Sequence, residues 1–332
     1  MQSSLQTLLF QQVKASMPPH LSLVEEIAEV LGISNDSAYR RIRGEKPIDL
    51  EEIQKLCSRF KVSMDQLLNL KSDAFIFTGN LNGYHERSFE DWLNNVLQQL
   101  QWLNNLEKKH AYFLIKDIPP FLHFQVPELA AFKFYFWMKS ILHYESMKGV
   151  KFRFDDARYD EFHTTSKKII ELYINVPMTE IWNIESINST LQQIEFHCEA
   201  GAFANKQDVR LLYLKVEELI NHIELQAELG VKFAIGKEPK SNPAEYRLFV
   251  NELILGDNTF MVETGSTRIT FLNHSVLYFV ATHDEKFNHA MFSNLENLMK
   301  KSTHISTVGE KERNRFFNRM RENIHSRLQQ LK

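Results

Sequence analysis

Gly32, Ser34 and Gly44 divide the stretch from Val24 to Gly44 into two short helices with almost no chain between them. Glycine enters the left-handed backbone that ends a helix without steric cost, and a serine two residues later can accept from the first amides of the next helix. Helices joined by so tight a turn must cross at close range. Ala28, four residues before Gly32, is small enough for that crossing, and Ile27, Leu31, Ile33 and Ala38 supply a small shared core. The flanking chain obeys the same local logic, and residues 1–70 read as five short helices, none long enough for a coiled coil. Ser22 with Glu25, Asp49 with Glu52, and Ser63 with Gln66 each set an oxygen acceptor three residues ahead of Glu or Gln, which marks a helix start. Pro18-Pro19 stops the first helix.

The second helix of the pair, capped by Ser34, carries Asn35, Ser37, Tyr39, Arg40 and Arg43 at positions expected to face outward. Side chains of these types hydrogen-bond base edges or phosphates in a DNA major groove. Arg40-Arg41-Ile42-Arg43, with Lys46, is a basic run at the end of an otherwise acid-balanced module, suited to the phosphates beside the groove. Arg41 has a second reading, an ion pair with Glu45 or Asp49 on a solvated face.

Together with Asp49 to Leu68, this stretch resembles the Cro/cI-like helix-turn-helix family of the xenobiotic-response-element type. The matching marks are the Ala28-to-Gly32 spacing, Ile33-Ser34 after the glycine, Gly44 twelve residues beyond Gly32, and Val62-Ser63-Met64-Asp65-Gln66-Leu67-Leu68. More narrowly, Asp36 to Glu45 is similar to the BetR-type regulators. Two residues depart from the pattern: Arg41 stands where many relatives have an apolar residue, with Ile42 one place later, and Tyr39 is bulkier than usual. The resemblance implies an all-α, five-helix, lambda-repressor-like domain that binds double-stranded DNA through Ser34, Asn35, Ser37, Tyr39, Arg40, Arg41, Arg43 and Lys46. One such module makes few base contacts, so a homodimer on two half-sites is expected.

The whole chain is 332 residues, enough for two or three domains. Its 43% hydrophobic and 24% charged residues fit a compact soluble protein with a sizeable core. The 25 Phe, 4 Trp and 10 Tyr are read as core first. Cys57 and Cys198 are far apart and belong to no Cys/His cluster, so neither a disulfide framework nor a zinc finger is expected. No apolar run reaches the roughly 18 residues needed to span a bilayer, and the N-terminus lacks a signal-peptide pattern. A cytoplasmic location is expected. The net charge of −3 argues against a wholly nucleic-acid-coating protein and says nothing about a local basic face.

The domain scheme expected from these features is a helix-turn-helix domain over 1–72, a linker over 73–87, and an effector or oligomerisation domain over 88–332. That last part reads as mostly helical α+β: helical over 88–235, β-rich over 245–283, and closed by helices over 284–330. Phe89, Leu93, Val96, Leu100 and Leu103 form an apolar seam, either core or dimer interface. A strand is expected at Ala111–Ile115, a helix around Glu128–Tyr144 with Phe132, Phe134, Tyr135, Phe136 and Trp137 on every side, and further helices through 164–199 and 206–229. From Tyr246 onward, short runs at Tyr246–Leu255, Thr259–Glu263, Arg268–Leu272 and Val276–Thr282 predict a C-terminal antiparallel sheet, with turns at Gly256-Asp257-Asn258 and Gly265-Ser266. The last helix carries Lys311, Arg313, Arg315, Arg319, Arg321 and Arg327, which serve either phosphate contact or a solvated face behind Phe316, Phe317, Met320, Ile324 and Leu328.

No GxSxG, GxxxxGK[ST], GxGxxG or HExxH motif occurs, so no enzyme, cofactor or metal is expected. His197-Cys198-Glu199 points its side chains in divergent directions, and His283-Asp284 with His289 needs a turn to converge. The expected function is a sequence-specific DNA-binding transcription regulator whose C-terminal part senses an unknown small-molecule effector or dimerises. The alternative is an adaptor or antitoxin-like protein that docks a protein partner through its N-terminal helices.

Overall fold

A computed structural model describes residues 5–17, 21–68, 75–79, 87–253, 256–265 and 267–331. The chain divides into two compact units, Met1–Ala74 and Phe75–Lys332.

The first unit contains helices α1 (Leu5–Ser16), α2 (Leu23–Leu31), α3 (Asn35–Ile42), α4 (Leu50–Phe60) and α5 (Met64–Leu67). Leu9, Phe10 and Val13 on α1 meet Ile27, Ala28 and Leu31 on α2, Ala38 on α3, and Leu56 and Phe60 on α4 in one core. Gly32 ends α2 at φ 66°, and the amides of Gly32 and Ile33 close back onto the Glu29 and Ala28 carbonyls. At the three expected helix starts the outcomes differ. Asp49 and Glu52 form a reciprocal capping box on α4. Ser22 is the N-cap of α2, at the expected helix start, but its side chain makes no capping bond. The third pair includes Gln66, whose side chain lies outside the described residues, as do Pro18 and Pro19.

The second unit is built on an eight-stranded mixed sheet. Its strands are β1 (Thr78–Gly79), β2 (Lys109–Ile115), β3 (Met178–Trp182), β4 (Tyr246–Val250), β5 (Thr259–Thr264), β6 (Arg268–Asn273), β7 (Phe279–Thr282) and β8 (Thr303–His304), in the order β1-β7-β6-β5-β2-β3-β4-β8. β2, β3 and β4 are parallel, and every other pairing is antiparallel. The remaining helices are α6 (Ser88–Asn104), α7 (Pro120–His123), α8 (Pro127–Phe136), α9 (Asp160–Tyr173), α10 (Asn188–Glu199), α11 (Gln207–Leu229), α12 (Glu285–Lys300) and α13 (Glu310–Gln330). Alternation along β2 sends Ala111, Phe113 and Ile115 into the large core shared with α6, α8, α9, α11 and α13. Tyr112 and Leu114 point to the other face, where Ile181, Phe249 and Met261 pack against Phe292 and Leu295 of α12.

Four sequence expectations are corrected here. The sheet is mixed, not a C-terminal antiparallel one, because the expected strand at Ala111–Ile115 and an unexpected one at Met178–Trp182 join it in parallel with β4. The span 164–199 is interrupted by β3, all five of whose residues are buried. Glu180 in its middle is satisfied internally, accepting from Tyr173 and Tyr246 hydroxyls and the Trp182 indole. Gly256-Asp257-Asn258 joins no neighbouring pair, since β4 lies between β3 and β8 while β5 lies between β2 and β6. Thr78–Gly79, placed in the linker, pairs with Val280 and Ala281 of β7, and Phe75 and Phe77 pack edge-on to Phe287. The rest of that segment, 73–74 and 80–86, lies outside the described residues.

The aromatic helix is buried along Phe132–Trp137 and passes into a π-helical turn at Trp137–Ile141. Phe89, Leu93, Leu100 and Leu103 on α6 are buried in this unit's own core, so the seam is no free dimer interface. Among the described residues, no helix is long and apolar enough to cross a membrane.

Candidate nucleic-acid interface

The outer face of α3 is set by what its inner face must do. Ala38 is fully buried against α2 and the half-buried Ile42 packs on the same core, which leaves Asn35, Asp36, Tyr39, Arg40 and Arg43 exposed. Ser34 caps the helix by accepting from the Ser37 amide at 3.3 Å, and Asp36 lies in the first turn, where a carboxylate complements the helix dipole. The Arg43 guanidinium lies 5.5 Å from the Tyr39 ring centroid and 3.3 Å from Glu45, with both charged groups in solvent. Arg40 and Lys46 are exposed as well.

Arg41 departs from the expectation placed on it. It is 5% exposed, and its Nε and Nη2 donate to Glu52 of α4 at 3.0 and 2.6 Å, while Nη1 donates to the Ser37 carbonyl and hydroxyl. The bond to Glu52 raises the guanidinium pKa above its ordinary value. Arg41 therefore occupies the apolar slot of the pattern as a buried, neutralised cation and is unavailable to phosphate. Its partner is Glu52, not Glu45 or Asp49. Ser37 is likewise half-buried and engaged by Arg41. Of the eight expected contacts, Asn35, Tyr39, Arg40, Arg43 and Lys46 share the open surface, Ser34 is a cap, and Ser37 and Arg41 face inward.

Two residues not assigned to this face from sequence, Glu52 beyond its capping role and Gln6, fix the orientation of α3. Glu52 serves both the Arg41 pair and the capping box, accepting from the Asp49 amide. Gln6 on α1 donates from its amide nitrogen to the Arg41 and Lys46 carbonyls, each at 2.7 Å, and accepts from the Ile48 amide at 3.3 Å. A glutamine that reaches the turn after α3 from 35 residues upstream leaves no local signal. Gln6→Leu is expected to destabilise this unit by about 1–2 kcal/mol, because the three backbone groups lose their partner and recover only part of it from water. Chemical denaturation followed by circular dichroism would show the shift, and an unchanged midpoint would remove Gln6 from this role.

The other candidate clusters do not form binding sites of the kind considered. His197 is held by the Gln193 carbonyl and Ser140 hydroxyl, and burial lowers its pKa. Among the described residues no group of three His, Cys, Asp or Glu could hold a metal. His283 and His289 do converge, on a cleft of about 750 Å³ between the β5–β6 hairpin and α12 that Arg268 and Lys286 also line. On α13, Phe316, Phe317, Met320 and Ile324 pack inward. Arg313 is buried on the Ile305 and Val308 carbonyls, Arg321 pairs with Glu224, and Arg327 with Glu195. That leaves α13 much less basic than its sequence suggests.

No curated protein matches the chain. Residues 8–80 match the family model of the BetR domain, a helix-turn-helix DNA-binding domain, and this similarity supports a place for the N-terminal unit among helix-turn-helix regulators.

Proposed function

We propose that this protein is a cytoplasmic, non-enzymatic, sequence-specific transcription regulator, with α3 as the recognition helix of a lambda-repressor-like, Cro/cI-type reader. The observation that carries the reading is the exposed face formed by Asn35, Tyr39, Arg40 and Arg43, on a helix anchored from two sides by Gln6 and Glu52. Asn pairs bidentately with adenine and Arg with guanine in the major groove, and Lys46 suits an adjacent phosphate. The reader acts as a homodimer on a two-fold symmetric operator. The second unit carries the regulatory input, for which the cleft beside α12 has the volume of a small-molecule site.

Selection of bound fragments from genomic DNA, at two salt concentrations, tests the reading. The full-length protein is expected to enrich a two-fold symmetric motif that an Arg40→Ala/Arg43→Ala variant loses. For each phosphate contact removed, the slope of log affinity against log salt should fall by about 1. No enrichment at either salt would replace DNA with a protein as the partner of the N-terminal helices.

A further inference from the structure

The 23-residue helix α11 is buried on one side by Leu212, Val216, Leu219 and Ile223. Its other side is a single solvent-facing stripe: Arg210, Leu214, Glu218, Asn221, Leu225 and Glu228 are all exposed. At about 100° of rotation per residue these positions fall within a band roughly 100° wide. Leu214 is 41% and Leu225 43% exposed, and Leu229 at the end of the helix is 47% exposed. Among the described residues, Arg210, Asn221 and Glu228 make no side-chain hydrogen bond or ion pair, while Glu218 is held by Lys215.

We propose that this stripe is a self-association surface, on which α11 of a second copy packs antiparallel about a two-fold axis near residue 219. One register satisfies the whole stripe. It sets Leu214 against Leu225 of the second copy, and Leu225 against its Leu214. A two-fold perpendicular to the plane of the two helices keeps each flank on its own side, so Arg210 falls beside Glu228 of the second copy, and the reciprocal pair forms about 27 Å away along the helix. Parallel packing would instead carry the two Arg210 to opposite flanks, and likewise the two Glu228, and would pair neither charge. The charges thus select the antiparallel pairing and the leucines fix its register. A contact centred on one helix face is small for a protein interface, so a reversible monomer–dimer equilibrium is expected. The surface belongs to the second unit and does not depend on the DNA reading.

Sedimentation equilibrium of the full chain without DNA tests this. The wild type is expected to show a monomer–dimer equilibrium that Leu225→Glu weakens at least about tenfold. Arg210→Glu and Glu228→Arg should each weaken it about fivefold, the two together in one chain should restore it to within about twofold, and an equimolar mixture of the two single variants should form a heterodimer. Far-ultraviolet circular dichroism checks that each variant is folded. A chain that stays monomeric at every concentration, or a dimer indifferent to Leu225→Glu, would overturn the interface. Weakening by both single reversals without recovery in the double variant would overturn the antiparallel register.

Discussion

Arg41→Met is expected to destabilise the N-terminal unit by about 3 kcal/mol while leaving operator affinity largely intact wherever the unit stays folded. Removing one member of a buried ion pair strands the other, at a typical cost of about 3–5 kcal/mol. The lower end applies because the Glu52 side chain retains 14% exposure and its bond from the Asp49 amide. Replacing both members with apolar residues removes the stranded charge, so Arg41→Met/Glu52→Met should recover most of the loss and fall short by about 1 kcal/mol for the broken capping box. All four tryptophans, Trp92, Trp102, Trp137 and Trp182, lie in the second unit. Melting of the first unit, which holds no tryptophan, is therefore followed by helical circular dichroism. Binding measured below that transition separates the two arginines: Arg40→Ala should lose affinity and Arg41→Met should not. Equal losses would restore Arg41 to the interface.

The second large effect is a pH dependence in the other unit. Lys133 of α8 is 4% exposed, and no carboxylate lies within ion-pair distance of its amine among the described residues. The ammonium donates to the Thr190 hydroxyl at 2.9 Å and to the side-chain amide oxygen Oε1 of Gln193 at 2.6 Å, while Thr190 lies 2.9 Å from His123 Nε2. Burial pushes the Lys133 pKa down to about 7, with distant Asp117 opposing only weakly, and burial together with the Lys133 charge holds His123 well below its ordinary value. The unfolded chain keeps the lysine proton to about pH 10.4. Between these values the unfolded state binds more protons, so the buried amine destabilises most at and below pH 7, and stability rises with pH by up to about 1.4 kcal/mol per unit. Lys232, also pushed to about 7, and Glu180 titrate in the same unit, and comparison with Lys133→Met cancels both. From pH 7 to pH 9, wild-type stability should gain about 2 kcal/mol relative to that variant in urea unfolding followed by tryptophan emission. Parallel curves would show that Lys133 stays protonated throughout.

What could be read in advance was what neighbouring residues decide among themselves. Gly32 and Gly44 take the left-handed backbone, and Ser34 and Asp49 cap their helices, because each needs only the next few residues. Arg41 could not be read this way. Whether its side chain meets Glu45, Asp49 or Glu52 depends on the angle between α3 and α4, and Gln6 depends on where α1 docks. In the second unit, Met178-Thr-Glu-Ile-Trp182 shows no apolar alternation, and its central Glu180 is hydrogen-bonded by Tyr173, Trp182 and Tyr246, which come together only in the finished fold. The antiparallel hairpin β5–β6 announces itself through its turn, whereas the parallel pairs β2–β3 and β3–β4 join segments more than 60 residues apart.

The same sheet orders events during synthesis. β2 waits for β5, about 150 residues later, and Thr78–Gly79 waits for Val280 and Ala281 of β7. The N-terminal helices, whose contacts are local, can close as soon as residue 68 has left the ribosome. For most of translation the nascent chain is thus a finished small domain trailing an aromatic-rich stretch with no sheet to bury it, and that stretch is where chaperones would be needed and where truncated products would aggregate.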